Sequence, residues 1–457
     1  MSKILFKNGI VVNSSKSKKL DLLVNGEKII KLAPKIKATS DMEVIDCKGK
    51  YLFPGFIDGH THFVLSVAGT TTIDNFESGT RAAVSGGTTT IIDYGTQYKG
   101  ETLEEGLANW LNKAKDGVSC DYGIHMSISD WNEKAKEQVS LMIKEGVTSF
   151  KLYTTYDIKL EDKDLFEAMQ EISKCGGITG VHCENDGMIA ALRSEVKTED
   201  NNKVRMHPLT RPDVAEAESV NKIVYYTENS GCPYIAVHVT NKKALDELKV
   251  AKDKKLPVYV ETCPQYLYFD DSVYNGAFDS ASKFVCAPPI RKKSDSEYLW
   301  KGIKSGLVDI VSTDHCSFTM KQKELGKSDF RKIPGGVNLV EYRGILLFDA
   351  VMKKKIKLED MARVLSENPS YLFGLYDRKG FLKKGYDADI VIINPKKKTK
   401  LGIKTQVSKS DYCLFEGKTV NGNIESVFLR GQKVVDERKV INEKKGIYLK
   451  RKKYKKI

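Results

Sequence analysis

Seven histidines occur in this chain of 457 residues, and four of them, with one aspartate and one lysine, have the types and spacing to hold metal ions. His60 and His62 stand two apart in Asp58-Gly-His-Thr-His. Side chains two apart on a strand share a face, so both imidazoles can bind one ion. His182 and His238 lie near the ends of two further apolar runs, and Asp314 follows another in Val-Ser-Thr-Asp-His-Cys. Imidazole and carboxylate together suit divalent ions such as zinc, which make bound water acidic near neutral pH. Each histidine alone reads equally as a hydrogen-bonded core residue; the joint placement favours a metal centre. Lys151 lies between apolar neighbours in Thr-Ser-Phe-Lys-Leu-Tyr. Burial there would lower its pKa and free its amine. A free amine can add carbon dioxide, giving an anionic carbamate able to bridge two metals, or it can form a Schiff base. The residues alone leave both open. Of the other histidines, His125 reads as structural within a strand, His207 as a non-ligand before Pro208, and His315 as support for neighbouring Asp314.

Residues so far apart in sequence can meet only if a repeating architecture brings their segments to one place. After residue 52 the chain alternates apolar strand-like runs with helix-period segments. The runs are 55–63, 88–94, 122–128, 148–153, 178–183, 234–239, 257–262 and 308–313, with helical candidates such as 103–115 and 163–175 between them. Eight such units predict an α/β fold, a (β/α)8 TIM barrel, whose strand ends converge on one mouth. Residues 4–6, 10–12, 21–24, 28–32 and 43–45 read as a meander of short antiparallel strands. Short strands return after Gly380, at 389–393, 426–429 and 433–435. The expected organisation is a barrel over 53–375 beside one small β domain built from 1–52 and 376–457.

Composition fits a soluble globular chain with a sizeable core, with 41% hydrophobic and 29% charged residues. No apolar run approaches the ~18 residues that span a bilayer, and the first residues lack the apolar core of a secretory signal. The expectation is a cytoplasmic protein with no membrane partner. The net charge of +14 raises the question of nucleic acid. Much of the excess lies in lysine runs at 353–357, 396–400 and 450–457 that lack interleaved aromatics, so they read as solvated surface and tail. Nine scattered cysteines without a Cys-x-x-Cys pair read as reduced core thiols.

Several segments together resemble the cyclic amidohydrolases: Gly55-Phe-Ile-Asp-Gly-His-Thr-His, Thr148-Ser-Phe-Lys-Leu-Tyr-Thr-Thr-Tyr, Val181-His-Cys-Glu-Asn, Val237-His-Val, Ala287-Pro-Pro-Ile-Arg and Thr313-Asp-His-Cys. Gly79-Thr-Arg-Ala-Ala-Val-Ser-Gly-Gly-Thr-Thr and Glu261-Thr-Cys-Pro-Gln-Tyr are similar to the hydantoinase/dihydropyrimidinase branch. The resemblance runs from Leu5 to about Arg451. It implies two divalent metals, usually zinc, one held by His60, His62 and Asp314 and the other by His182 and His238. Lys151, as N6-carboxylysine, and a hydroxide would bridge them. It further implies Asp314 as the proton shuttle, Tyr156 as donor to the developing oxyanion, and substrate contacts through the backbone near Ala287 and Gly335. A buried packing role is the plain alternative for Tyr156. The chain departs from the family wording at Ala287, at Pro334-Gly-Gly and at Asn338; main-chain contacts survive such changes, while the loop at Asn338 is less determined.

The activity implied is opening of 5-substituted hydantoins to N-carbamoyl amino acids, with dihydropyrimidinase or another cyclic ureide hydrolase as the alternative. The implied partner is a small cyclic ureide, and the implied assembly a homo-oligomer, a tetramer in the family. Phe63, Val64, Leu65 and Val67 are expected to form an apolar wall for an aromatic or aliphatic substituent, with Thr154 and Thr155 as a more polar side. Packing of the barrel rim is the plain reading of those hydrophobes. Metal-free scaffolds exist among such relatives, but all six ligand positions are filled here.

Overall fold

The computed structural model describes residues 3–115 and 117–457. The chain begins with strands β1 (Lys3–Asn13), β2 (Lys16–Asn25), β3 (Lys28–Ala33), β4 (Met42–Asp46) and β5 (Tyr51–Pro54). The sequence placed residues 4–6 and 10–12 in two separate strands. The structure instead has one long β1 with a bulge between Phe6 and Gly9, Asn8 taking a φ of 63°. A Cβ at Gly9 would sit 2.4 Å from Leu52 Cδ1, so the bulge is where β1 meets the chain running to β5. The meander expectation is also corrected in direction: β4 and β5 both pair parallel to β1.

The barrel follows. Its strands are β6 (Phe56–Thr61), β9 (Thr88–Thr96), β10 (Asp121–Ser127), β11 (Ser149–Tyr153), β12 (Ile178–His182), β13 (Tyr234–Ala236), β14 (Val258–Thr262) and β15 (Ile310–Val311). They form one parallel eight-stranded sheet in chain order. The residues of β6, β9, β10 and β11 are buried throughout, as expected of parallel strands covered on both faces. Between β6 and β9 lies a two-rung hairpin, β7 (Ser66–Val67) and β8 (Thr70–Thr71), turned by Ala68 and Gly69 at positive φ. β13 is shorter than the run read from sequence because His238 takes a φ of 42°, which no strand sustains. Helices Leu103–Ala114 and Asp162–Cys175 stand where the periodicity placed them.

β6 and β15 share no regular ladder. They are joined by an isolated bridge between Thr61 and His315 and by the carboxylate of Asp58. Asp58 accepts from the Thr313 hydroxyl at 2.8 Å and from the Thr313 amide at 3.2 Å. Buried Arg343 donates to the carbonyls of Ile57 and Val311 at 2.9 Å, tying the same two strands.

The chain closes with β16 (Ile390–Lys400), β17 (Thr419–Leu429), β18 (Gln432–Asp436) and β19 (Lys439–Val440). β16 pairs antiparallel with β5, so both ends of the chain share one nine-stranded sheet. Lys379, fully buried, joins that sheet to the barrel by ion pairs to Asp121 at 2.6 Å and Asp389 at 2.7 Å. No helix among the described residues is long and apolar enough to cross a membrane. All nine cysteines are free.

The basic terminus is not the solvated tail suggested by its composition. Its lysines are exposed, but its backbone runs across the barrel floor, hydrogen-bonding Tyr122, Gly146, Gly374 and Tyr371. Leu449 joins the apolar cluster of Ile57, Ile92, Ile178 and Ile310 beneath the strands. Arg451 is buried and donates to Ser149 Oγ at 2.8 Å and to the Ile124 carbonyl, and burial holds its pKa down at about 10. Replacing Arg451 with Met removes the donor to the Ile124 carbonyl and one of the two partners of Ser149 Oγ, so unfolding should become easier by about 1–3 kcal/mol. Lys453→Met, at an exposed position, should shift the thermal midpoint far less. Equal midpoints for the two variants would contradict this role for Arg451.

Candidate active site

The residues that the family resemblance assigned to metal binding, catalysis and substrate contact all line one open cavity of about 1490 Å³ at the barrel mouth: His60, His62, Lys151, Tyr156, His182, His238, Ala287, Asp314 and Gly335. β6 delivers His60, and His62 follows it on the same face. His60 Nε2 lies 3.3 Å and His62 Nε2 3.1 Å from Asp314 Oδ1. One ligand atom from each of these three residues lies within 4.8 Å of the others. Beside them, the His182 and His238 rings sit 4.6 Å apart, and His60 and His238 5.4 Å apart.

Two buried carboxylates set the imidazole tautomers. Glu261 of β14 accepts from His60 Nδ1 at 2.7 Å, leaving His60 Nε2 buried with no hydrogen-bond partner. Glu261 also accepts from the His238 amide at 3.1 Å, and His238 Nδ1 is likewise buried without a partner. Glu184 contacts His182 Nε2 at 2.8 Å and is held in turn by Arg211. Burial first, then the charge of Lys151, lowers the His60 pKa well below its ordinary value; burial does the same to His238, and lowers that of His182 against the pull of Glu184. Neutral imidazoles with orphaned nitrogens are what a cation needs. Burial opposes ionisation of Asp314, but His60, His62 and Lys151 outweigh it and hold its carboxyl at about 2. His60, His62 and Asp314 therefore form a metal site.

Lys151 is 1% exposed at the centre of the cavity floor. Its Nζ lies 4.7 Å from the Tyr94 ring centroid and 5.3 Å from that of Tyr153. Burial lowers its pKa, and Asp314 and Glu261 counter that only through space. Gly180 stands opposite in β12, where a Cβ would come within 3.1 Å of Val237 and only touch Lys151 Cδ, at 3.8 Å.

Tyr156 has a φ of 74°, and Asp314 one of 52°. With His238, three site residues occupy a left-handed backbone that non-glycine residues enter rarely, and such strain concentrates at functional sites. Although 38% of Tyr156 is exposed, it faces the cavity. Burial pushes its hydroxyl pKa up, so the proton stays on. Its ring lies 5.0 Å from His182 and 5.1 Å from the Arg211 guanidinium carbon.

Several expectations need correction. Phe63 is fully buried against Phe76 and His315, and neither Phe63 nor Val64 lines the cavity; Leu65 and Val67 do. Thr154 is buried too, with its hydroxyl on the carbonyls of His182 and Glu184, while Thr155 lines the cavity. His315 supports a loop rather than a ligand, accepting from the amides of Leu339 and Val340 and contacting Asp74. His125 bridges Ser149 and the Gly59 carbonyl, as a structural residue does. His207 lines the cavity rim and contacts the Cys286 carbonyl at 2.8 Å.

Four residues lacked any role in the sequence reading: Glu184, Arg211, Glu261 and Lys323. Glu184 and Glu261 had a local signal, a carboxylate at the end of an apolar strand. Arg211 and Lys323 had none. Lys323 is fully buried and donates to the carbonyls of Pro334 at 2.7 Å, Gly336 at 2.9 Å and Val285 at 3.3 Å. It thereby fixes, relative to each other, the two loops that carry Ala287 and Gly335.

A (β/α)8 barrel with imidazole and carboxylate metal ligands at its mouth is the architecture of a metal-dependent hydrolase. Residues 51–434 match the amidohydrolase family, and the chain belongs to it. It is 38% identical over 451 residues to the D-hydantoinase of Streptomyces coelicolor, covering 97% of this chain and 96% of that one. It is 38% identical over 436 residues to the D-phenylhydantoinase of Escherichia coli O1:K1, covering 94% of each. Its structure matches that of dihydropyrimidinase from Brevibacillus agri with a TM-score of 0.97 at 36% identity, over 99% of both chains.

The Glu261 contact makes a prediction about metal binding alone. Glu261→Gln keeps the shape but weakens the hold on the His60 tautomer and on the His238 backbone. Metal affinity, measured against a competing chelator, should fall on the order of 10- to 100-fold. Unchanged affinity would mean that His60 is positioned by packing.

Proposed function

We propose that this chain hydrolyses the cyclic amide of 5-substituted hydantoins, releasing N-carbamoyl amino acids. The observation that carries the reading is the convergence of four imidazoles, Asp314 and buried Lys151 beside the Tyr156 hydroxyl in one cavity. Two of the relatives named above are a D-hydantoinase and a D-phenylhydantoinase, which supports the same chemistry. Dihydropyrimidinase activity is the second reading, favoured by the structural match to such an enzyme.

His60, His62 and Asp314 would hold one divalent cation, and His182 and His238 a second, with Lys151 as N6-carboxylysine between them. The carbamate suits Lys151 because its amine is desolvated and lacks a carboxylate partner, while two dications need a shared anion. Zinc fits the donor set, and a bound pair would supply acidic water and polarise the ring carbonyl. Asp314 turns Oδ1 to the imidazoles, so Oδ2 is free to take the proton of the attacking water. As the carbon–nitrogen bond breaks, Asp314 returns that proton to the leaving nitrogen. Tyr156 keeps its proton and donates a hydrogen bond to the oxygen on which charge develops. Backbone groups at Ala287 and Gly335 would seat the amide edge of the ring. A cytoplasmic homo-oligomer, tetrameric as the family resemblance implies, is part of the same proposal; light scattering measures its mass.

The direct test compares phenylhydantoin, dihydrouracil and allantoin with zinc-loaded protein and its Tyr156→Phe variant. Ring opening should be fastest on the hydantoin and fall on the order of 10²-fold in the variant with metal content unchanged. Fastest turnover of dihydrouracil would select the second reading, and inert protein would end both.

Lys151→Ala tests the bridge. Metal content and activity should fall together, and acetate or propionate with added zinc should restore part of the activity by occupying the vacated space. Retained metal with no response to either acid would instead indicate a lysine that packs the floor.

A further inference from the structure

The cavity wall beside Tyr156 carries a positive charge that no side chain there neutralises. Arg211 is buried and paired with Glu184, which is also engaged by His182. Arg193, in the last turn of helix Asp186–Ser194, lines the same cavity. Its Nε is buried with no hydrogen-bond partner, and none of the ion pairs among the described residues includes it. Burial lowers its pKa, Arg211 and Arg331 repel it, and only Tyr156 and Glu184 attract it. Two cations near it have their own anions: Arg331 is 2.7 Å from Asp329, and Lys159 is 3.0 Å from Asp186. The cavity carboxylates Asp130, Asp157 and Asp164 are not among the groups that act most on Arg193. Two guanidiniums thus draw on one carboxylate.

A cation is well tolerated at a helix C-terminus, because the last carbonyls favour it. That accounts for a basic residue in this turn, but not for a guanidinium nitrogen buried at the cavity wall and left unpaired. A guanidinium presents a planar fork that matches a carboxylate in two parallel hydrogen bonds. Leu65 and Val67 of the β7–β8 hairpin line the same cavity and suit a short aliphatic stem.

We propose that the substituent on the ring opened by this enzyme ends in a carboxylate received by Arg193, so that the product is the N-carbamoyl derivative of an acidic amino acid. The inference rests on the ring-opening reading above and narrows its substrate class. The hydrolysis is unchanged: water adds to the ring carbonyl carbon, the adjacent carbon–nitrogen bond breaks, and the substituent's carboxylate takes no part beyond binding.

The test compares zinc-loaded protein with its Arg193→Gln and Arg193→Lys variants. The substrates are 5-(2-carboxyethyl)hydantoin, its primary amide 5-(2-carbamoylethyl)hydantoin, and unsubstituted dihydrouracil. Acid and amide have nearly the same shape, so their ratio of kcat/KM reports the charge alone. The unaltered protein should prefer the acid on the order of 10- to 100-fold, mainly through KM. Arg193→Gln should bring the ratio close to one, and Arg193→Lys should retain part of it. A ratio near one in the unaltered protein overturns the inference, as does a preference that survives in both variants. Opening of dihydrouracil alone overturns it while leaving ring hydrolysis standing; opening of none of the three overturns the parent reading as well.

Discussion

The site depends on how the barrel closes. Seven of its strand pairs are held by parallel ladders, but β6 and β15 meet through a single bridge and the side chains of Asp58 and Arg343. A ladder would have fixed the two strands in extended conformation through Thr313 and beyond. With side-chain bonds in place of the ladder, the chain after Thr313 turns, and Asp314 takes a φ of 52°. That turn aims its carboxylate at His60 and His62. Loss of regular pairing at the seam is thus what brings together three ligands from the two ends of the barrel.

The same seam raises an electrostatic difficulty. His60, His182, His238 and Lys151 are all buried, and burial alone would remove charge from each. Glu261 and Glu184 answer it from behind the rings, fixing which nitrogen carries hydrogen and turning the other inward. Arg211 then satisfies Glu184, so the order extends one residue farther from the metal site. Lys151 has no comparable partner. Its surroundings are the faces of Tyr94 and Tyr153, which stabilise a cation weakly by comparison with a carboxylate. Burial lowers the pKa of an amine so placed, which favours its neutral, nucleophilic form. For that reason the carbamate reading rests on local physical chemistry as well as on family resemblance.

The barrel was legible because parallel strands buried on both faces leave continuous apolar runs, and all eight runs hold strands. The convergence of the candidate ligands was legible because imidazoles at the ends of apolar runs meet where barrel strands end. Less legible was anything decided by tertiary contact. Asn8-Gly9 reads as a turn, yet a bulge better fits the approach of Leu52. Phe63 and Val64 read as pocket wall because they follow the ligand pair, but Phe63 packs on Phe76 and His315 behind the strand. The terminal lysines read as tail because composition carries no information about the backbone, which here hydrogen-bonds across the barrel floor. Arg211 and Lys323 act on partners more than ten positions away, and no local pattern marks such residues.

Floor and rim of the cavity are built on different principles. At the floor, His60 and His182 are held by buried carboxylates, and His238 and Asp314 stand on strained backbone. Lys323 extends that rigidity to the loops of Ala287 and Gly335, because one ammonium shared by three carbonyls fixes both loops at once. The rim is made of the β7–β8 hairpin, the segment after Tyr156 and the helix ending at Ser194, which touch the floor at few points. Gln322 ties the hairpin through Thr70 Oγ1 at 2.8 Å and the Thr71 carbonyl at 2.7 Å, and Lys159 ties the second segment to Asp186 at 3.0 Å. Side chains on such elements can change without disturbing the metal ligands. Arg193 belongs to that layer: it sits in the last turn of its helix and shares no hydrogen bond with any of the candidate ligands. Chemistry is therefore set by the strands and the seam, while the choice among rings falls to the rim.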